Sequence, residues 1–548
     1  MSADILITNA AVRTMDGTLP IAEAVAIKGN RITFVGTVTD ALAHTGPNTR
    51  VVDAAGATVL PGFVEAHAHL MMGAESLNEL DLMHIDGREA LSDALLAYAA
   101  ERPDAELLFG RSANYSILGE GTRPTRHDID QIIADRPVFI RSGDYHNAWV
   151  NTAALEKAGV MNGHDVGPGS EIVLDNDGIA TGELREGEAM MYVLGRLTDL
   201  GRSGIGVDPQ NVTPAEMAAD IALTKQGLDY CAAHGITTIQ NMDGKFHPCE
   251  VLRAIEDAGD LNCRVEMPFL LEPSEPDENM ALASEMAAKY CSDKLWSGRV
   301  KLFMDGVLDA WTAVVIDGYA DKPEEFGTPL FTAERFNMLS IDADKRGLQI
   351  SVHAIGDGAV RMVLDGYQAA AEANGPRDGR HRIEHIEMLH PDDMRRFAEL
   401  GVIASMQANH PPGCGPFPAE PTIHMIGEAR WETAYAWRMI KDTGAKVVFG
   451  TDWPVAPVDP LLAIKQALSR QPWTPDCPDQ RLTMDEALAA YTSVGAYTCF
   501  KEDAFGSIEA GKLADIVVLD GPLPDDPTAD WPKVRMTICD GVVSYEVD

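Results

Sequence analysis

The stretch PGFVEAHAHL, residues 61–70, places two histidines, His67 and His69, one residue apart at the end of an apolar run. In an extended strand alternate side chains point to the same face, so the two imidazoles would project together. This pattern predicts either part of a metal site or a strand end with solvated histidines. The residues near the ends of the other strands distinguish between these two interpretations.

Seven further apolar segments, each followed by a helical pattern, repeat the arrangement of this first strand. They cover residues 235–242, 262–271, 299–307, 348–354, 381–387, 401–407 and 445–452. With the first strand they make eight strand–helix repeats, which is typical of a (β/α)8 TIM barrel. We therefore predict an α/β fold in which residues 61–499 form the barrel.

The two chain ends differ from the middle of the chain in their residue pattern. Both contain short alternating β runs separated by Gly, Asn and Asp-Gly turns. Residues 1–60 and 500–548 are therefore predicted to pair into one small β-sandwich domain. Residues 72–218, between barrel strands one and two, are too many for a plain βα loop and predict an inserted cap subdomain over the barrel mouth.

Composition restricts the partners of this chain of 548 residues. Its 84 acidic and 44 basic residues give a net charge of −40, which argues against nucleic acid or an anionic membrane as a partner. The start has no secretory signal, no apolar stretch is long enough to span a membrane, and the eight cysteines form no CxxC pair. We expect a cytoplasmic protein with free thiols that acts on a small molecule, with a homodimer as a candidate assembly.

Residue types that bind metals fall near the predicted C-terminal ends of five barrel strands. They are His67 and His69 at strand one, Lys301 at strand four, His353 at strand five, His385 at strand six and Asp452 at strand eight. Singly, a histidine in such a place is more often a packed, hydrogen-bonded side chain, and a lysine usually pairs with a carboxylate. Six such residues at one face of one barrel predict a metal site.

These motifs carry a resemblance to a known family. PGFVEAHAHL, VKLFMDG, SVHAIGD, RIEHIEM and GTDWPV resemble the ordered ligand set of the amidohydrolase superfamily. DGIATGELRE, ALEKAGV, GITTIQ and the tail GSIEAGKLADIVVLD resemble the branch that contains N-substituted formamide deformylase. The resemblance runs over nearly the whole chain, including its β-rich ends.

The resemblance implies two divalent metal ions and a role for each ligand. His67 and His69 would bind the more buried ion, His353 and His385 the more exposed one, Lys301 would bridge both as a carboxylated lysine, and Asp452 would contact the buried ion and the attacking water. A lysine amine that takes up carbon dioxide becomes an anionic carbamate. Imidazole with carboxylate-type ligands suits Zn²⁺ best, with Fe, Mn and Co as alternatives.

One departure from the pattern lies just before the first histidine. Glu65 and Ala66 stand where members of the superfamily commonly have Asp and Ser or Thr. We expect this change to alter the hydrogen bonds behind the ligands and to leave the ligands themselves in place.

The implied activity is hydrolysis of a C–N bond in an amide, an N-substituted formamide or a cyclic amide. Asp452 would take the proton of the attacking water and return it to the leaving nitrogen. His410, after strand seven, is a second catalytic candidate that could hold the tetrahedral oxygen. The candidates for substrate binding are Tyr145, His146, Asn241 and Trp453, each of which could instead be a hydrogen-bonded loop residue.

Two other functions remain open at this point. The first is metal-assisted decarboxylation or isomerisation, which members of the same superfamily perform. The second is a regulatory or binding protein with a vestigial site, against which the intact set of six ligands argues.

Overall fold

The computed structural model describes residues 2–547 with five internal gaps. The gaps are 120–121, 168, 198–204, 206–207 and 210. Parts of the predicted insertion and the first and last residues of the predicted chain-end domain therefore lie outside the described residues. Within these ranges no helix is long and apolar enough to cross a membrane.

The eight predicted barrel segments all form strands, and the pairs between neighbouring strands are parallel. In chain order they are Phe63–Ala68, Ile236–Asn241, Arg264–Glu266 continued by Phe269–Leu270, Arg299–Phe303, Gln349–Ala354, Arg382–His385, Ile403–Met406 and Val447–Phe449. The third strand is split because Pro268 has no backbone N–H and interrupts the ladder. Its first half pairs with strand two and with the short strand Leu295–Trp296, and its second half pairs with strand four.

The end of strand eight is hydrogen-bonded to the end of strand one. The N–H of Asp452 donates to the carbonyl of His67 at 2.7 Å, and the N–H of His69 donates to the carbonyl of Trp453 at 2.8 Å. This approach requires a glycine at position 450, because a Cβ on Gly450 would lie 2.4 Å from the nitrogen of His67.

Helices follow or flank the strands along the whole chain. The α-helices are Val38–Ala41, Leu70–Ser76, Arg88–Glu101, Arg126–Asp130, Thr152–Ala158, Glu186–Leu197, Pro214–Ala233, Phe246–Asp257, Met280–Lys289, Ala333–Lys345, Asp357–Asn374, Arg396–Leu400, Thr422–Ile426, Trp437–Asp442, Pro460–Ser469, Met484–Ala490 and Ser493–Thr498. Short 3₁₀ helices cover Leu42–His44, Asp277–Asn279, Pro391–Asp393 and Glu428–Thr433. The helix that precedes strand two begins with the capping box of Thr213 and Glu216, which satisfies its first free N–H groups.

Strands from both chain ends share one six-stranded sheet. Its order is Val542–Glu546, Val534–Cys539, Ile516–Leu519, Thr58–Pro61, Ala11–Arg13 and Ile21–Ala22. A second, four-stranded sheet has the order Arg31–Gly36, Ala24–Lys28, Ile5–Thr8 and Arg50–Asp53. Residues of both sheets, among them Ile7, Val25, Val59, Ile516 and Met536, form one buried apolar cluster.

A separate six-stranded sheet lies between barrel strands one and two. Its order is Glu171–Leu174, Ala180–Arg185, Asn147–Val150, Val138–Ser142, Leu108–Ala113 and Leu80–Asp81. Two apolar clusters of its own, one around Phe139 and Leu184 and one around Leu108 and Trp149, bury the sheet against the adjacent helices. The segment therefore has core packing that does not depend on the barrel strands.

A buried ion pair joins the barrel to the chain-end sheet. Arg264 of strand three is fully buried, and its guanidinium lies 2.8 Å from Asp515 and 2.7 Å from Asp540. Removing one partner of a buried pair leaves an uncompensated charge, which typically costs about 3–5 kcal/mol. Asp540 still compensates part of the charge of Arg264 in Asp515→Ala, so we expect this variant to lower the free energy of unfolding by up to about 3–5 kcal/mol, measured by denaturant titration.

Asp530, exposed near the same end of the chain, provides the matched control. Asp530→Ala should change the unfolding free energy by less than about 0.5 kcal/mol. Equal stability of the Asp515→Ala and Asp530→Ala proteins would contradict the structural role of this pair.

Candidate metal centre and active site

Four histidines and one aspartate from the ends of four barrel strands meet at the C-terminal face. Nε2 of His67 and Nε2 of His69 lie 3.2 Å and 3.3 Å from Oδ1 of Asp452. The ring centroids of His67 and His385 are 4.8 Å apart, and those of His385 and His353 are 4.5 Å apart. All five side chains are buried. The structure therefore brings five of the six predicted ligands into one group.

The hydrogen bonds of His67 leave a space that suits a cation. Its Nδ1 donates to the carboxylate of Glu384 at 2.7 Å, so in the neutral imidazole, the form that binds a metal, Nε2 carries a lone pair. That lone pair faces Oδ1 of Asp452, and neither atom has a hydrogen-bond partner among the described residues. In that neutral form the two buried lone pairs are unfavourable unless a positive charge, such as a metal ion, lies between them. Ligand atoms of His67, His385 and Asp452 all lie within 4.8 Å of one another, so these residues fit a divalent metal ion.

His353 and His385 are held as neutral imidazoles, the form that binds a metal. Nε2 of His353 donates to the carbonyl of Gly306 at 3.1 Å, and Nδ1 of His385 donates to the side chain of Gln407 at 3.0 Å. One ring nitrogen of each therefore stays unprotonated. Burial, and then the neighbouring ring (His385 for His353, His67 for His385), lowers the pKa of both well below its usual value.

The loop after strand two places a carboxylate beside His69. Nδ1 of His69 is 3.4 Å from Asp243, a residue of this loop. Burial opposes protonation, but Asp243 and then Asp452 raise the pKa of His69 to about 9. A metal ion bound at His69 would therefore displace a proton, and its affinity would rise with pH.

Lys301 is the sixth predicted ligand and is fully buried on strand four. Burial disfavours the ammonium form and lowers its pKa to about 8, although Glu384 opposes this shift. A larger fraction of neutral amine is therefore present near neutral pH, and the neutral amine is the form that can take up carbon dioxide.

Two of the five clustered residues have a left-handed backbone. His385 has a φ of 74° and Asp452 a φ of 61°. Such conformations cost free energy in residues other than glycine and are concentrated at functional sites, where they direct side chains. Both positions lie at strand ends, where the chain turns sharply and the side chain faces the cluster.

His146 and His410 lie beside the cluster. The ring centroid of His146 is 5.2 Å from that of His353, and the ring of His410 is stacked 6.3 Å from His385. Burial opposes protonation of His146, but Glu186 at 2.6 Å raises its pKa to about 9. Nε2 of His410 is buried without a hydrogen-bond partner within the part of the chain that the structure describes.

The other three predicted substrate residues have structural contacts of their own. Asn241 accepts a hydrogen bond from the N–H of Leu70 at 2.7 Å and donates to Asp243 at 2.8 Å, so it lies one contact behind His69. Trp453 packs against Gly73, where a Cβ would be 2.3 Å from the indole ring. Tyr145 is buried in the inserted segment, 5.0 Å below the guanidinium of Arg141.

The partners that orient the predicted ligands are not evident from the sequence motifs. Glu384, which orients His67, stands directly before His385, and its charge in a buried strand was an available signal. Asp305 of the VKLFMDG motif accepts hydrogen bonds from the backbone N–H groups of residues 314, 355 and 356. It thereby fixes the loop that follows His353.

A pocket lies between the inserted segment and the loops after strands four and seven. Its walls come from the inserted segment (Ser112–Tyr115, Gly143 and Asp144, with Met83), from Asp309 after strand four and from the loop after strand seven (Pro416–Pro418 and Glu420–Thr422). Asp144 accepts a hydrogen bond from the N–H of His146, and the ring of Phe417 lies 5.2 Å from that of His410. Two lining residues of this pocket therefore contact the two flanking histidines.

The fold is shared with a solved structure. The structure of this protein matches that of an uncharacterized metal-dependent hydrolase from Pyrococcus horikoshii OT3 with a TM-score of 0.72, over 96% of this chain and 98% of the other. The sequence identity is 23%, so this match concerns the fold alone. It confirms the α/β fold class that the strand–helix repeats predict.

The sequence comparison identifies the family. Residues 50–545 match the amidohydrolase family, and the chain belongs to that family. It is 30% identical to the protein LONG AFTER FAR-RED 3 of Arabidopsis thaliana, over 94% of this chain and 87% of the relative. It is 27% identical to N-substituted formamide deformylase of Arthrobacter pascens, over 99% of this chain and 98% of the relative. The predicted resemblance is therefore confirmed, and the protein is an enzyme of the amidohydrolase type.

Proposed function

We propose that this protein is a metal-dependent hydrolase that cleaves a carbon–nitrogen bond in an amide, an N-substituted formamide or a cyclic amide. The single observation that carries the proposal is the buried group of His67, His385 and Asp452, whose ligand atoms lie within 4.8 Å of one another. The name of the Arthrobacter relative supports the class of bond. Water would add across that bond to give a carboxylic acid and an amine, or an opened ring.

The donor set supports two divalent ions, with Zn²⁺ as the best match to imidazole and carboxylate ligands. His67 and His69 would hold one ion and His353 and His385 the other, with a carbamate on Lys301 as the bridge. When bound, such ions polarise a carbonyl and lower the pKa of the attacking water.

The protein's own side chains would move and stabilise charge. Asp452 would accept the proton of the attacking water and deliver it to the leaving nitrogen, as a positioned carboxylate can. His410 would donate from its unpartnered Nε2 to the oxygen that becomes negative in the tetrahedral intermediate. His146 would bind the substrate on the side of His353.

The pocket beside these histidines is the proposed substrate site. Tyr115, Phe417 and the prolines of the loop after strand seven give it an apolar lining, which suits an apolar substituent on the nitrogen or the carbonyl carbon. Tyr145, Asn241 and Trp453 would not contact the substrate directly. They would support the loops that carry the residues of the site.

We further infer the domain division and the location of the protein. The hydrogen bonds between strands eight and one support a closed barrel over 61–499, and the shared apolar cluster of the chain-end sheets supports a β-sandwich of 1–60 and 500–548. The separate core of the inserted sheet supports a cap over 72–218, although the helix Pro214–Ala233 crosses its predicted boundary. All eight cysteines, which lie within the described ranges, are free, as expected in the cytoplasm.

A substrate panel with metal-loaded protein tests the proposed function. We expect N-substituted amides, formamides and lactams to exceed phosphoesters and nucleobases by more than about a hundredfold in kcat/KM, because the pocket has an apolar lining beside a carbonyl-directed site. Each hydrolysed bond should incorporate one oxygen from ¹⁸O-labelled water. The matched control is His67→Ala plus His69→Ala, which should lose both metal and turnover.

Each alternative has its own outcome in this experiment. Turnover without uptake of labelled oxygen would show decarboxylation or isomerisation instead of hydrolysis. Purified protein that takes up no metal would indicate a vestigial site. A phosphotriester as the best substrate would contradict the proposed C–N bond.

A further inference from the structure

Glu186 lies where the inserted segment meets the barrel. It follows the strand Ala180–Arg185 and begins the helix Glu186–Leu197, within the motif DGIATGELRE. Its φ is 65°, a left-handed conformation that is costly for a glutamate. A buried carboxylate in this conformation needs a compensating role, and its hydrogen bonds indicate which.

The carboxylate of Glu186 has two partners from different parts of the chain. Oε2 lies 2.6 Å from Nδ1 of His146, and Oε1 accepts a hydrogen bond from the hydroxyl of Thr312 at 2.5 Å. The backbone N–H of Glu186 also donates to the carbonyl of His146 at 2.7 Å. Residue 146 is therefore held by a side-chain and a backbone contact, and both come from residue 186.

Gly306 provides the room for this carboxylate on the barrel side. A Cβ on Gly306 would lie 2.2 Å from Oε1 of Glu186, so only glycine allows the approach. The carbonyl of Gly306 accepts the hydrogen bond from Nε2 of His353, whose ring is 5.2 Å from that of His146. Two residues therefore lie between Glu186 and the predicted ligand His353. One is His146, and the other is Gly306.

We propose that Glu186 is a positioning residue whose carboxylate fixes the imidazole of His146 beside His353, so that the inserted segment completes the active site. This inference rests on the proposed hydrolase function. A carboxylate at Nδ1 fixes the orientation of a histidine ring, as in catalytic triads. Nε2 of His146 is then the ring nitrogen available to the substrate.

A double-mutant cycle in the full-length, metal-loaded protein tests this role. We expect Glu186→Gln to lower kcat/KM by about ten- to a hundredfold, mainly through kcat. His146→Gln should cause a similar loss, and Glu186→Gln should add nothing to it if Glu186 acts through His146. Glu188→Gln, an exposed acid of the same helix, is the matched control and should leave kcat/KM unchanged. Full activity of Glu186→Gln, or an equal further loss in the His146→Gln background, would overturn the proposal.

A second measurement does not need turnover. In protein labelled with ¹⁵N-histidine, the ring signal of His146 is assigned by its loss in His146→Gln. Glu186→Gln should shift this signal, and Glu188→Gln should not. If the wild-type protein hydrolyses no member of the panel but the signal shifts, the proposed function fails and the positioning role stands. An unchanged signal in Glu186→Gln overturns the positioning role whatever the activity.

Discussion

Replacing Asp452 by asparagine should lower kcat by about 10²–10⁴-fold while substrate binding is retained. Asparagine has nearly the shape of aspartate but cannot accept and return a proton, and positioned proton transfer contributes a factor of this size. The backbone of Asp452 keeps its place because its N–H donates to the carbonyl of His67, a contact that the substitution does not change. The measurement is kcat and KM on the best substrate of the panel, with metal content determined for each preparation.

Asp459→Asn is the matched control for this experiment. Asp459 lies on the same loop and caps the helix Pro460–Ser469 through the N–H groups of Leu461 and Leu462. Asparagine also caps helices well, so this variant should retain its stability and its activity. Normal turnover by Asp452→Asn at full metal content would contradict the proton transfer assigned to Asp452.

The barrel strands could be predicted from the sequence because each lies in a short segment with buried apolar residues. The prediction of 348–354 and the observed strand Gln349–Ala354 differ by one residue at one end. The split in strand three was missed, because the apolar run of 262–271 continues across Pro268 while the hydrogen-bond ladder does not. The pattern of apolar residues reflects burial, and it does not change when one backbone N–H donor is missing.

The predicted ligands could be located because the C-terminal ends of parallel strands meet at one face of a barrel. Their partners could not, because these contacts depend on register between distant strands. Glu384 orients His67 from a position 317 residues further along the chain. The approach of His146 to His353 depends on how the inserted sheet packs on the barrel, which no local pattern encodes.

The chemistry of the metal centre depends most on Lys301. Lys301→Ala should lower kcat/KM by more than about a hundredfold, because loss of a direct ligand should exceed the effect of losing a residue behind the ligands. Short carboxylic acids such as formate, acetate or propionate should restore part of this activity, since a free carboxylate can occupy the space of the carbamate. A lysine that acted through its ammonium could not be replaced in this way.

A direct measurement of the carbamate uses ¹³C-labelled bicarbonate. We expect one protein-bound ¹³C signal in the wild-type protein and none in Lys301→Ala, because burial lowers the pKa of this amine to about 8 and so increases the neutral form that reacts with carbon dioxide. Lys245, which is paired with Glu272 and Glu275, is the matched control. Burial lowers the pKa of its amine, but these two carboxylates raise it by more, so its net pKa is raised and the charged ammonium form is favoured. Lys245→Ala should keep the signal.

A signal that persists in Lys301→Ala, or a Lys301→Ala protein with full activity, would show that Lys301 is not the carbamate bridge. The two histidine pairs and Asp452 would then have to hold the metal without it.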